Sequence, residues 1–415
     1  MEICIKMELI PRNDYLRRLR AFRENAVIKV ITGVRRCGKT TLMKIFMDEL
    51  RADGVADEQI VTVNFEDYDA IELTEPKALH AFLKSKLLPG KTVFFFLDEI
   101  QNVRDFQRVV DSLYIREGTD IYLTGSNGAM LSSDLATLLT GRYVEINMLP
   151  LSFGEFCQAS RLPLSPAEHY RRYLELGSFP YALQLSDNQA VRLYLEGIFN
   201  TILLKDLAQR MKLSDVSLLV SICRFLFENI GSIVSPKRIA DTLTTQGRKC
   251  DVKTVDKYLT AITDCFVMYE AVRFDIHGKA ELARLEKYYL VDPGLRRVLL
   301  GNKATDVSHS LENVVYLELV RRGYEVFVGR IEDTEVDFVA RSSEGFLYLQ
   351  VSATVRNSET LERKLRPLKK IKDHYPKLLL TLDDDPDMDY NGILQTNALA
   401  WLLSSNKAPH DAALH

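Results

Sequence analysis

Between Val27 and Asn147 short apolar runs alternate with amphipathic stretches. The runs 27–32 (VIKVIT), 60–65 (IVTVNF), 92–97 (TVFFFL), 120–125 (DIYLTG) and 142–147 (RYVEIN) are rich in Val, Ile, Phe and Tyr, as strands buried on both faces are. Stretches 39–51 and 103–115 carry apolar residues at helical spacing. Such alternation predicts an α/β fold: a parallel sheet with helices on both faces and ligands bound at the carboxyl ends of its strands.

After Pro150 the pattern turns helical, through SFGEFCQAS, AEHYRRYLEL and VSLLVSICRFLFENIG. From Ser235 to Phe274 helix PKRIADTL, a polar turn, helix VKTVDKYLTAITDC and the strand-like FVMYEAVRF follow in the order of a winged helix-turn-helix. A helix and the strand-like YEVFVGR, EVDFVA and FLYLQVSA then open a further α/β unit. Four segments are expected: 1–150, a helical lid over 151–230, a winged helix over 231–300, and an α/β tail over 301–405.

The 415 residues, 47% hydrophobic and 27% charged, fit a folded protein of more than one domain. A net charge of −3 removes any general attraction to nucleic acid and leaves only local basic faces. Glu2, Lys6 and Glu8 interrupt the first apolar stretch, which predicts no signal peptide. No apolar run nears the ~18 residues of a membrane span, so a cytoplasmic protein without membrane contact is expected. The six cysteines show no CxxC or His-paired spacing, the usage of reduced packing residues.

The strongest chemical signal is GVRRCGKT, Gly33 to Thr40, between a strand and an apolar helix. Phosphate binding needs this arrangement: Gly33 and Gly38 let the backbone turn closely, so that N–H groups from Arg36 to Thr41 wrap the phosphates. Lys39 is expected to reach the β- and γ-phosphates of ATP, and the Thr40 hydroxyl to bind Mg²⁺. Cys37 raises a separate question, since a thiol at a helix N-terminus can ionise readily; a small packing side chain is the blander reading. Arg35 and Arg36 are contacts to phosphate or nucleic acid, with solvent-facing loop charge the expectation for at least one of them.

The run FFFLDEIQ delivers Asp98 and Glu99 to the same sheet edge. Asp98 suits the Mg²⁺ shell, and Glu99 suits the polarisation of an attacking water. At the end of IYLTGSN, Thr124, Ser126 and Asn127 are polar candidates; Ser126 or Asn127 senses the γ-phosphate. Arg142 either projects into a neighbouring subunit's site as a finger or forms a salt bridge at a strand start.

With these motifs, and with LTGRYVEINMLPLSFGEF, YLELGSFP, KYYLVDPGLRRVLLG and LENVVYLELVRRGYEV followed by EVDFVA, the chain resembles prokaryotic AAA-type ATPases that carry a C-terminal domain of unknown function. The resemblance covers nearly the whole chain. It implies Mg-dependent ATP hydrolysis, a finger role for Arg142, and a homo-oligomeric ring, a hexamer. The tail resembles the PD-(D/E)xK nuclease group, which includes archaeal Holliday-junction resolvases. Glu312 and Asp337 match two of that group's acids, but Gln350 and Ser352 stand where an acid and a lysine are wanted, so no nuclease activity is expected.

Lys237, Arg238, Arg248, Lys249, Lys253 and Lys257 surround the helix-turn-helix and suit DNA phosphates or a plain solvated surface. The cluster from Arg363 to Lys372 reads as a solvated helix face. Two roles follow: an ATP-driven ring remodelling branched or double-stranded DNA, or a regulatory switch ATPase acting through protein partners.

Overall fold

The computed structural model describes residues 9–126, 128, 139, 141–185, 187–209, 215–301 and 306–404. The chain divides into two units, Met1–Pro150 with Asp264–Phe266, and Leu151–Thr263 with Val267–His415.

The first unit is built on strands β1 (Ile28–Thr32), β2 (Ile60–Asn64), β3 (Val93–Asp98), β4 (Thr119–Gly125) and β5 (Tyr143–Asn147), each end within one residue of the expected run. They form a parallel sheet in the order β2-β3-β4-β1-β5. Thr32 pairs with Gly125 and Asn64 with Asp98, so the loops after β1, β3 and β4 leave one edge of the sheet side by side. That edge carries the chemistry.

Burial explains the composition of these strands. Every residue of β3 is buried, and Phe95 and Leu97 join Val30, Leu79, Val110 and Leu123 in one apolar cluster. On the other face Phe96 stacks on Tyr122 at 4.7 Å, and Phe46 lies 5.4 Å from the same Tyr122 ring. Phe46 belongs to the helix Lys39–Ala52. Burying such a ring is worth about 1.5–3 kcal/mol, and here it fixes the helix whose first residue is Lys39.

At the opposite edge the sheet holds a buried ion pair. The Lys29 ammonium contacts Asp120, and both side chains are wholly enclosed. Asp120 also accepts from Tyr122 Oη at 2.9 Å and from the Glu24 backbone N–H at 2.9 Å. Burial holds the Lys29 pKa below its usual value against the pull of Asp120.

The second unit opens with helices. Phe153–Ser160 and Pro166–Leu176 each start with a capping box, Ser152 with Glu155 and Ser165 with Glu168, an S-x-x-E spacing that satisfies the first free N–H groups reciprocally. Asn188–Thr201, a π-helical turn over Ile202–Gln209, and Val216–Glu228 follow.

Among the described residues its strands are β6 (Ile233–Val234), β7 (Met268–Asp275), β8 (Ala280–Leu290), β9 (Glu325–Ile331), β10 (Thr334–Ser342), β11 (Gly345–Ser352), β12 (Lys377–Thr381), β13 (Met388–Asp389) and β14 (Ile393–Asn397). They join in one mixed sheet, β13-β14-β12-β11-β10-β9-β7-β8-β6. The helices Pro236–Thr245 and Val252–Asp264 lie between β6 and the β7–β8 hairpin in sequence. Parallel pairing of Arg273–Asp275 with Val328–Arg330 makes that hairpin continuous with the strands of the tail. No described helix is long and apolar enough to cross a membrane.

Candidate nucleotide site

The loop after β1 bends through two glycines. Gly33 has φ +144°, and a Cβ there would overlap the Met148 carbonyl oxygen; Gly38 has φ +109°. Both are backbone shapes that L side chains rarely adopt. Arg36, at φ +68°, is exposed, whereas Arg35 is buried and pairs with Glu66 at 2.9 Å. The two neighbouring arginines therefore differ, and only Arg36 is solvent-facing.

Lys39 begins the following helix and is 4% exposed. Its ammonium donates to Gly33 O at 3.0 Å and lies 3.6 Å from Glu99 Oε1. Thr40 Oγ1 donates to Asp98 Oδ2 at 2.7 Å. Strands β1 and β3 thus bring Lys39, Thr40, Asp98 and Glu99 together. Thr41, one position on, is half-buried.

Thr124, at the end of β4, ties the acidic pair. Its hydroxyl donates to Asp98 Oδ1 at 2.5 Å and accepts the Glu99 N–H at 2.8 Å. Glu99 turns through a left-handed backbone, φ +54°, a strained shape for a non-glycine residue. Gln101 and Ser126 both donate to Glu99 Oε2, Ser126 at 3.0 Å. Ser126 therefore touches the acid directly. Asn127 lies outside the described residues.

The two acids differ electrostatically. Burial raises the Asp98 pKa above the ordinary carboxylate value, with the Thr124 and Thr40 hydroxyls opposing. Burial also pushes Glu99 up, but the Lys39 ammonium, the Gln101 amide and Arg35 more than offset it, and its pKa falls below the usual value. Glu99 is held ionised. A hard-cation oxygen pair, Thr40 and Asp98, sits beside a carboxylate that a hydroxyl and an amide orient, and the close-approach glycines suit phosphate; the residues fit a Mg-nucleotide.

Cys37 is wholly buried, and burial raises its thiol pKa despite Lys39 and Arg12, which favours the packing reading over a reactive thiolate. Sequence reading overlooked Arg12. Its guanidinium is buried and donates to Cys37 O at 3.2 Å, Leu149 O at 2.7 Å and Pro150 O at 3.2 Å, tying the phosphate-loop backbone to the chain that follows β5. Nothing in the motif predicts this, because Arg12 lies far away in sequence.

Arg142 forms an ion pair with Asp111, its guanidinium 5.5 Å above the Tyr114 ring, and its side chain is 42% exposed. Within one chain the arginine therefore has a carboxylate partner.

In the second unit Glu312, Asp337 and Gln350 converge in a buried cluster. Lys287 Nζ lies 3.1 Å from Glu312 and 2.8 Å from Glu335, and Tyr289 donates to Glu312 at 2.7 Å. Lys364 Nζ lies 2.7 Å from Asp337 and 3.2 Å from Gln350 Oε1. Lys364 thus leaves the solvated helix face expected of Arg363 to Lys372, with its side chain 14% exposed. The lysine missing from β11, where Ser352 stands, reaches the cluster from the neighbouring helix. Burial raises the Glu312 pKa; burial also acts on Asp337, but Lys364 and Lys287 bring it below the usual range.

Residues 25–157 match the AAA domain family, and residues 167–306 match a domain of unknown function, DUF8612. An uncharacterised protein of Haemophilus influenzae is 37% identical over 400 residues, 95% of this chain and 99% of its own. One from Methanocaldococcus jannaschii is 29% identical over 75% of this chain and 71% of its own. Among solved structures, a Walker-type ATPase of Pyrococcus abyssi superposes with a TM-score of 0.51 at 17% identity, over 71% of this chain and 97% of that one, a likeness of fold. The chain belongs to the family of the Haemophilus influenzae protein, and in it an AAA domain of the ATPase type precedes a domain of unknown function.

Proposed function

We propose that this protein hydrolyses ATP at the Gly33–Thr40 loop, with Glu99 as the general base. The supporting observation is the position of Glu99: next to Asp98 yet clear of Thr40, ionised, and oriented by Ser126 and Gln101. Mg²⁺, when bound, would take oxygen ligands from Thr40 and Asp98 and neutralise phosphate charge.

Backbone N–H groups from Arg36 to Thr41 cradle the phosphates at the N-terminus of the helix, where its dipole favours anions. The γ-phosphate competes with Glu99 for the Lys39 ammonium. Binding thus moves a cation from the base to the substrate and leaves Glu99 a stronger proton acceptor for the attacking water. Ser126 couples Glu99 to the end of β4.

The ATPase acts as a hexameric ring on DNA, branched or double-stranded, through a winged helix over 231–300. Lys237, Lys249, Lys253 and Lys257 are all exposed, and among the described residues none has a carboxylate in ion-pair range, so they suit phosphates. Arg142 leaves Asp111 to complete a neighbouring subunit's site.

The tail is a PD-(D/E)xK-like module without nuclease activity. Glu312 and Asp337 already pair with Lys287 and Lys364, so a divalent cation would have to compete with two ammonium groups. The lysine-paired cluster, like the intrachain pairing of Arg142, also accommodates the second role, a regulatory switch that recruits protein partners.

ATPase rate measured with and without four-way junction DNA over a salt series separates the roles. A DNA-directed ring predicts stimulation and a steep loss of binding with salt; neither effect leaves the switch.

A further inference from the structure

The turn YLELGSFP and the segment KYYLVDPGLRRVLLG are not absorbed by ATP hydrolysis, yet they meet in the second unit. Asp292 caps the helix Pro293–Leu300 by accepting from Leu295 N at 2.8 Å, and it also accepts from the Ser178 N–H and, at 2.6 Å, from Ser178 Oγ. A Cβ on Gly177 would come within 2.7 Å of Asp292 Oδ1, and one on Gly294 within 2.8 Å of Gly177 Cα. Only glycines allow so close a junction, and it locks the helix that carries Arg296 and Arg297.

Arg296 is 5% exposed. Its Nε donates to Phe227 O at 2.9 Å and its Nη1 to Ser310 Oγ at 3.0 Å. Among the described residues it has no carboxylate within ion-pair distance, and its Nη2 has no hydrogen-bond acceptor. Phe227 lies in the last turn of Val216–Glu228, whose dipole supplies roughly half a negative charge. Asp306 adds a carboxylate charge from beyond ion-pair distance. Burial nonetheless lowers the guanidinium pKa, opposed only by Asp306.

This arginine lines a cavity of about 270 Å³. Ile230, Leu290 and Pro293 give the cavity an apolar wall, while Ser310, Asn313, Arg297 and Glu175 add polar groups. Arg297 pairs with Glu175 at 3.1 Å, both about half exposed. Apolar walls around a few convergent polar groups are the makings of a small-molecule site.

We propose that the cavity binds a small organic anion, a carboxylate or phosphate monoester with a short apolar body. Its charged end pairs with Arg296 beside Ser310, and its body packs against Ile230, Leu290 and Pro293. The Arg296 Nη2, the guanidinium nitrogen left without an acceptor, presents a charge-assisted donor to either acid group. The volume lies just under the roughly 300–1,000 Å³ of drug-sized pockets, which suits a ligand smaller than a nucleotide.

Calorimetric titration tests this with benzoate and phenyl phosphate as probes, on the full chain saturated with a non-hydrolysable ATP analogue so that the phosphate loop is closed to them. At least one probe is expected to bind saturably, and comparing the two distinguishes carboxylate from phosphate. Arg296→Met should weaken that binding about tenfold or more, with analogue affinity unchanged. Because Arg296 also caps a helix, Ser310→Leu gives a second route: it fills the cavity, keeps the bond to Phe227, and should abolish probe binding. Absence of saturable binding for both probes, or binding that Ser310→Leu leaves intact, overturns the proposal.

Discussion

The Lys39 ammonium lies 3.6 Å from Glu99 Oε1 while donating to Gly33 O at 3.0 Å. One cation thus links the phosphate loop to the carboxylate at the end of β3. Lys39→Ala removes a charge-assisted contact to phosphate worth about 1.5–3 kcal/mol. ATP affinity, read with a fluorescent nucleotide analogue, should fall about 10- to 150-fold.

Lys29 and Asp120 show that the opposite edge of the same sheet is structural. Both are wholly enclosed, so Lys29→Ala leaves a buried carboxylate without its cation. Urea unfolding should register a loss of about 3–5 kcal/mol. Nucleotide affinity of the folded fraction should stay within about twofold of wild type, because additivity holds between distant sites.

Lys364→Met tests the tail cluster through pH. Burial pushes the folded Asp337 pKa up, but the Lys364 and Lys287 ammonium groups outweigh it and hold it below the ordinary value. A depressed carboxylate pKa gives stability that is full above the unfolded value, about 3.9, and is lost as pH falls through the folded value. The variant should therefore be less stable than wild type at neutral pH, and the gap should close below about pH 4. A gap constant from pH 7 to 3 contradicts the pairing.

Arg142 is held by Asp111 within the chain, so the finger proposed for it requires that pair to open. Mixing Arg142→Ala subunits with Lys39→Ala subunits should restore part of the ATPase activity, since one partner keeps the finger and the other the site. Activity no greater than that of the separate variants contradicts a finger supplied by a neighbour.

What was legible in the sequence follows from the range of each interaction. The β1 loop and the end of β3 are readable because their chemistry is local: glycine for positive φ at Gly33 and Gly38, and an acidic pair at the end of an apolar strand. The S-x-x-E caps at Ser152 and Ser165 are local in the same way. Arg12, Lys287 and Lys364 act across long sequence separations, and no spacing rule points to them. Lys364 shows the difficulty well: basic neighbours on one helix suggest a solvated face, yet only packing decides that this residue turns inward to Asp337. The joining of β7 to β9 likewise depends on pairing between strands far apart in sequence.

Single-turnover hydrolysis by Glu99→Gln tests the central claim most directly. The amide keeps the size of Glu99 but cannot take the proton of the attacking water, so ATP should bind with near wild-type affinity and be cleaved about 10²–10⁴-fold more slowly. Cleavage within about twofold of wild type would remove Glu99 from its role as the base.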